Sequence, residues 1–379
     1  MRIAGIVCEY NPFHNGHLYQ IEETKKMLGV DGIVAVMSGN FTMRGSPALY
    51  NKYIRAKAAT LNGVDLVLEL STPYALSSSE YFSYGAVSLL DKLNIIDYLS
   101  FGSEAGDIKK LSLIADKLLR EETIIKIKEN QKRGIPVFQA ISDEFTGEDK
   151  EILSLPNNIL GINYIKALKK LDSKIEPYTI KRMKVGYNDI LSSGNIASAT
   201  AIREYLKEDK NINKYIPENT CDLYNTNPVF DKEYDKLITY AIRVKSAKDL
   251  RNYPDVTEGL ENLIKESGEK YSSVYEIADN IKSKRYTYTR IKRILYNILL
   301  DITKEKREKE VEFARVLAFS EKGKEILKNI NEKSDIEVFT NPKKESYEKY
   351  EFLNIDKKSS LIYDLSCKNN SHNSDRILI

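Results

Sequence analysis

The feature that most constrains this chain is a short apolar run that stops at a polar turn carrying two histidines. Ile3-Ala4-Gly5-Ile6-Val7-Cys8 is apolar and partly β-branched, the composition of a buried strand. Residues 18–28 then read as a helix that ends at Gly29. Between them, Asn11-Pro12-Phe13-His14-Asn15-Gly16-His17 must turn the chain from strand to helix. The protein has 3 histidines, and two of them stand in this turn. In an open α/β sheet such turns lie at the carboxyl edge of the strands, where ligands bind. The helix start offers unpaired N–H groups and partial positive charge to an anion. Gly16 lets a phosphate approach the backbone, and imidazoles donate hydrogen bonds to a phosphoryl group as its charge grows. The same pair also fits a surface turn or part of a metal site. A metal would want a third His, Cys or carboxylate nearby, and Glu9 is the near candidate.

The pattern repeats downstream. Residues 32–37, 64–70, 98–102 and 176–182 read as strands, and 52–61 and 79–93 read as helices. Pro156 and an Asn cap open a further amphipathic helix with Ile159, Ile162, Ile165 and Leu168 on one face. Strands alternating with helices predict an α/β fold with a five-stranded parallel, Rossmann-like sheet covered on both sides. Right-handed crossovers then bring every strand end to the edge that holds His14 and His17. Residues 108–150 read as a charged helical insertion or lid.

Several edge residues carry chemistry in this arrangement. The loop 38–47 carries Arg44, with Lys52 and Arg55 on the helix behind it; phosphate or RNA contact and a merely solvated loop fit equally. Gly102 at a strand end suits a close approach of adenine or ribose, or a simple turn. Asn158 caps its helix or meets a nucleotide. Arg182 closes the fifth strand, where a guanidinium holds phosphate or stacks on a base. Ser198 is a natural N-cap, and Thr200 and Arg203 share one face of the first turn that follows, making a second anion site.

At 379 residues the chain has room for about two or three domains. Residues 1–220 hold the nucleotide-type sheet, 221–330 read as helical and basic, and 331–379 as a small C-terminal extension. Net charge is only +3, so any basic surface must be local. It is found at 281–310, with ten Lys/Arg against four Asp/Glu. There Tyr286 and Tyr288 are interleaved with Lys284, Arg285, Arg290 and Arg293, a mixture that suits RNA loops as well as a solvated helix face. No apolar run approaches the ~18 residues of a membrane span, the N-terminus has no secretory pattern, and Cys8, Cys221 and Cys367 form no disulfide or metal motif. A cytoplasmic protein is the expectation.

The string from Cys8 to Leu18, with its His-x-Gly-His, resembles the nucleotidyltransferase superfamily that includes the class I aminoacyl-tRNA synthetases. Within it the string is similar to the bacterial tRNA(Met) cytidine acetate ligases, and the likeness covers most of residues 1–310. The superfamily's second signature, Ile-Ser-Ser-Thr-x-x-Arg, is resembled by Ile196, Ser198, Thr200 and Arg203. Ala199 replaces a serine, so one hydroxyl contact is missing or made by backbone. The resemblance implies ATP as cofactor, with Mg2+ carried by it, and no protein metal site. It implies His14, His17 and Arg203 as catalytic groups. ATP contacts would come from Val7, Glu9, Tyr10, Asn11, Pro12, Phe13, Asn15, Gly16 and Leu18, with Gly102, Asn158, Arg182, Ser198 and Thr200. The partners would be acetate and tRNA, with Arg44, Lys52, Arg55, Lys284, Arg285, Arg290 and Arg293 on the RNA. The reaction would pass through acetyl-adenylate to the N4 amine of the wobble cytidine in elongator tRNA(Met). A small-molecule adenylyltransferase of the pantetheine-phosphate or nicotinate-mononucleotide type, and an RNA-binding module with a structural nucleotide site, are the competing readings.

Overall fold

The N-terminal run becomes β1 (Ile3–Cys8), the middle of five parallel strands. The computed structural model describes residues 1–182, 195–257, 259–334 and 336–366; Ser193, Gly194 and Cys367 lie outside them. After β1 come α1 (Asn15–Leu28), β2 (Gly32–Ser38), a hairpin of β3 (Phe41–Thr42) and β4 (Ser46–Pro47), α2 (Lys52–Leu61) and β5 (Leu66–Leu70). α3 (Ser79–Lys92), β6 (Tyr98–Ser103), α4 (Pro156–Lys170), β7 (Glu176–Lys181) and α5 (Ala199–Lys207) complete the first half. β7-β6-β1-β2-β5 are parallel neighbours. The chain winds outward from β1 in both directions, so the switch point of the sheet lies just beyond Cys8, where the histidine turn begins.

The sheet is buried on both faces, as its continuous apolar strands require. In β2, Ile33, Ala35 and Met37 join the core under α1, α2 and α5, while Val34 and Val36 join the core under α3 and α4. Helix α1 ends at Gly29 in a left-handed conformation, whose N–H closes onto the Lys25 carbonyl at 2.9 Å. The insertion at 108–152 is four helices, the first of which buries Leu111, Ile114, Ala115 and Leu118.

The C-terminal half differs from expectation. The described residues between 235 and 300 form a series of helices joined by short turns, ending in α6 (Tyr288–Leu300), whose Ile291, Ile294, Leu295 and Ile298 are buried as their spacing predicts. Two strands then extend the sheet: β8 (Phe313–Phe319) antiparallel to β5, and β9 (Glu337–Phe339) parallel to β8, with α7 (Glu321–Lys333) between them. The sheet thus has seven strands, five of them the parallel set. The described residues of 331–366 are bonded to the first half of the chain. In α8 (Glu351–Asp364), the Tyr363 hydroxyl donates to the Ala48 carbonyl at 2.8 Å, and buried Asp356 accepts from Thr72 N at 2.7 Å. No helix among the described residues is long and apolar enough to cross a membrane.

Candidate active site

His14 is the N-cap of α1, and His17 closes the same turn from inside the helix. His14 Nδ1 accepts from Gly16 N at 3.1 Å, and His17 Nδ1 accepts from His14 N at 3.2 Å. This reciprocal cap fixes both tautomers: with each Nδ1 accepting, each neutral ring carries its proton on Nε2. The rings stack with centroids 3.7 Å apart. Burial lowers the His14 pKa to about 3, and Arg182 and Arg203 add to the effect. Burial, then His14 and Arg182, hold His17 well below the usual imidazole range. Two like charges therefore never meet in the stack at neutral pH; the site presents two neutral donors. A Cβ on Gly16 would lie 2.9 Å from His14 Cε1 and push the ring away, which explains the glycine between the histidines.

Both imidazoles face a cleft of about 270 Å³ at the carboxyl edge. Gly16 and Gln20 of α1 form one wall. Gly102 and Glu104 after β6, with Ile180 to Arg182 at the end of β7, form another. Ile196 to Ser198, just before α5, supply a second helix start. Ser198 Oγ accepts from Ala201 N at 3.2 Å and so caps that helix. The Arg182 side chain lies alongside Gly102. The donor set suits a polyphosphate on the imidazole side and a base against Gly102 and Arg182.

Most of the histidine turn builds the cleft without lining it. Tyr10 and Phe13 are buried and set their ring centroids 4.9 and 5.6 Å from that of His17. Asn11 Oδ1 accepts from Leu49 N at 2.8 Å, and the Asn11-Pro12 bond is cis. Phe13 N donates to Tyr224 Oη at 3.1 Å, and Asn15 Nδ2 to the Asn195 carbonyl at 2.8 Å. Leu18 is half-buried against the core that holds these rings, and Val7 is half-buried against the core of the other sheet face. Glu9 turns the other way and accepts from Met43 N of the hairpin at 2.8 Å. Arg203 sits beside the turn, donating to the Asn11 carbonyl at 3.2 Å and to Thr200 Oγ1 at 2.9 Å.

Several of the expected site residues are engaged by the protein itself. Asn158 is buried and spent on backbone: Oδ1 accepts from Ala105 N at 3.0 Å and Nδ2 donates to the Ile152 carbonyl at 3.1 Å. Its neighbour Asn157 faces the cleft, with Nδ2 donating to Glu104 Oε1 at 2.6 Å. Lys52 is buried, its Nζ 2.8 and 2.9 Å from the two oxygens of Glu69. Arg55 is buried too, bonded to the carbonyls of Glu9, Ser38, Gly39 and Tyr50. Both are buried struts between α2 and the strand ends, their charged groups spent on Glu69 and on backbone carbonyls. Arg293, half-buried, donates to the Met43 carbonyl at 3.2 Å, so part of its work is holding the hairpin. Arg290 donates to the Asp255 carbonyl at 3.0 Å and lies over the Tyr286 ring. By contrast Arg44, Lys284 and Arg285 are exposed. Gln20, Asn157 and Lys181 are lining residues that sequence reading missed. Gln20 was legible, being one helical turn beyond Gly16.

Paired imidazoles at a strand-to-helix turn, with a second helix start across a cleft, define a nucleotidyltransferase type of site. The family model described as HIGH Nucleotidyl Transferase matches residues 1–376. The chain is 44% identical over 358 residues to a tRNA(Met) cytidine acetate ligase of Caldanaerobacter subterraneus, covering 90% of this chain and 88% of the relative. It is 41% identical over 404 aligned positions to the protein of the same name from Clostridium kluyveri, covering 100% and 98%. Thermotoga maritima TmcAL, solved with alpha-thio ATP bound, superposes with a TM-score of 0.90 at 30% identity, covering 98% of this chain and 96% of that one. The chain belongs to the HIGH nucleotidyltransferase family and, within it, to the tRNA(Met) cytidine acetate ligases.

Proposed function

We propose that this protein is an ATP-dependent ligase that activates acetate as acetyl-adenylate. It then transfers the acetyl group to the N4 amine of the wobble cytidine in elongator tRNA(Met). The observation that carries the chemistry is the pair of neutral, tautomer-locked imidazoles facing a cleft between two helix starts. Acetate is a poor acyl donor until its oxygen is attached to a good leaving group. Attack of an acetate oxygen on the α-phosphorus makes that bond and expels pyrophosphate. His14 and His17 donate Nε2–H to the phosphate oxygens as negative charge builds, without gaining a proton or reorienting. The α1 and α5 helix starts add backbone N–H groups, and Ser198, Thr200 and Arg203 serve the terminal phosphates. Mg2+ enters with ATP as its counter-ion. Gly102, Asn157 and Arg182 hold the nucleoside end.

The RNA is held by exposed cations outside the cleft: Arg44 on the hairpin, and Lys284 and Arg285 before α6. The membership above supports the substrate, and the placement of these cations supports the docking side. The protein acts in the cytoplasm, where its tRNA substrate is found. Exchange of labelled pyrophosphate into ATP tests the activation half-reaction. Exchange that requires acetate and proceeds without tRNA is expected. Exchange driven by pantetheine phosphate or nicotinate mononucleotide, with none driven by acetate, would replace this reading with a small-molecule adenylyltransferase.

A further inference from the structure

The cleft lies on the β6–β7 side of the β1 end. On the other side, towards β2, a second set of polar groups is left over by the chemistry above. Glu9 follows β1 directly. One of its carboxylate oxygens, Oε1, is taken by Met43 N at 2.8 Å. Oε2 has no hydrogen-bond partner among the described residues. The next residue of the hairpin, Arg44, is exposed, and its guanidinium has no partner among the described residues. Arg203 joins this group to the cleft: it interacts electrostatically with Arg44 and Glu9 on one side and with His14 on the other. The hairpin is fixed from behind as well. Gly45 adopts a φ of +69, and a Cβ there would lie 2.5 Å from Arg293 N, so the hairpin tip is packed directly on α6. Glu9 is thus bonded to the hairpin residue that precedes Arg44, and both charged groups act on Arg203 at the point where the nucleotide cleft meets the basic helical layer.

A carboxylate oxygen on Glu9 and a guanidinium on the hairpin bonded to it can present one acceptor and two donors to a single base. That is the complement of the Watson–Crick edge of cytosine, whose N4 amine donates and whose N3 and O2 accept; uracil presents O4 and N3–H in the opposite sense. We propose that Glu9 and Arg44 form the subsite that receives the acceptor cytosine, Glu9 Oε2 accepting from N4–H and Arg44 donating to N3 and O2. This rests on the acetate-ligase reading and adds the groups that select and activate the acceptor. When N4 attacks the acetyl carbonyl, the N–C bond forms and the carbonyl C–O bond to the adenylate phosphate breaks. AMP leaves with the oxygen, and the proton lost by N4 passes to Glu9 Oε2 and on to solvent.

The test compares two half-reactions in the full-length protein: acetate-dependent ATP–pyrophosphate exchange without tRNA, and single-turnover acetyl transfer to tRNA. Glu9→Gln keeps an acceptor oxygen for Met43 N, and Arg44→Ala alters an exposed side chain, so both variants should fold; thermal melting checks this. In each variant the ratio of transfer to exchange should fall at least twentyfold. Anticodon stem-loops with C or U at the target position are then used as inhibitors of transfer. The wild type should prefer C by about tenfold, as one bidentate base contact provides, and Glu9→Gln should lose the preference. Parallel loss of exchange and transfer would place Glu9 and Arg44 on ATP. A raised KM for acetate in exchange would place Arg44 on acetate. An unchanged ratio or an unchanged C preference would likewise overturn the assignment. If the wild type shows no acetate-dependent exchange, the underlying reading fails, and that is visible before any variant is compared.

Discussion

At the scale of single residues, the site depends on keeping charge off its own donors. A protonated imidazole pair stacked at 3.7 Å would repel, and burial prevents it. His17→Ala removes one donor and leaves the Tyr10 and Phe13 rings in place. Adenylate formation should fall by ~10²-fold or more, the usual cost of losing one oxyanion donor, with the melting temperature little changed; steady-state exchange and a melt measure both. A second residue sets a pH dependence far from the site. Asp356 is buried near Glu69, and its pKa is pushed up to about 7, first by burial and then by that carboxylate. Above this value the folded protein must hold the charge, whereas the unfolded chain ionises near the ordinary ~3.9. The folded state therefore binds the extra proton between about 4 and 7, and stability from this group is lost as pH rises through that window. Asp356→Asn keeps the acceptor for Thr72 N. The variant should melt higher than wild type above pH about 7, and the gap should shrink as pH falls towards about 4. Melts at several pH values decide; a gap that stays constant would contradict the assignment.

At the scale of elements, the parallel strands were legible because each is an apolar, partly β-branched run closed by a turn. The histidine turn was legible for the same reason, since its place between strand and helix decides its edge. What escaped reading was anything settled by a distant partner. β8 is apolar except for Arg315, which looks misplaced until Glu69 and Tyr53 are brought against it. Lys52 and Arg55 look like a solvated basic face until Glu69 and the backbone carbonyls of Glu9 and Ser38 are brought against them. Asn157 and Asn158 differ by about 100° around one helix, and only packing shows which faces the cleft. The same logic changes the choice of RNA-side mutation. Reversing Arg293 would loosen the hairpin from α6 as well as any hold on RNA. The exposed pair Lys284→Glu with Arg285→Glu avoids this. tRNA affinity should drop at low salt, and the slope of log affinity against log salt should flatten by ~0.7 for each phosphate that is no longer neutralised. Exchange of pyrophosphate in the absence of tRNA should persist. Filter binding across a salt series measures this, and unchanged affinity and slope would move the RNA elsewhere.

At the scale of the whole molecule, one sheet edge gathers three functions that the sequence spreads over about 290 residues. The nucleotide cleft is at the β1 end, the hairpin stands beside it, and the basic helical layer is packed on the hairpin through Gly45 and Met43. The C-terminal strands lock this layer to the sheet by extending it past β5. Activation and transfer can thus share one edge, with the adenylate made on one side of Glu9 and the RNA delivered from the other. Acetate ligation to tRNA is tested most directly by mass spectrometry of nucleosides from tRNA incubated with the protein, ATP and isotopically labelled acetate. Labelled N4-acetylcytidine should appear in elongator tRNA(Met), only when ATP is present and accompanied by AMP and pyrophosphate. Acetylcytidine that forms from acetyl-coenzyme A without ATP, or label that never reaches the RNA although acetyl-adenylate is made, would contradict it.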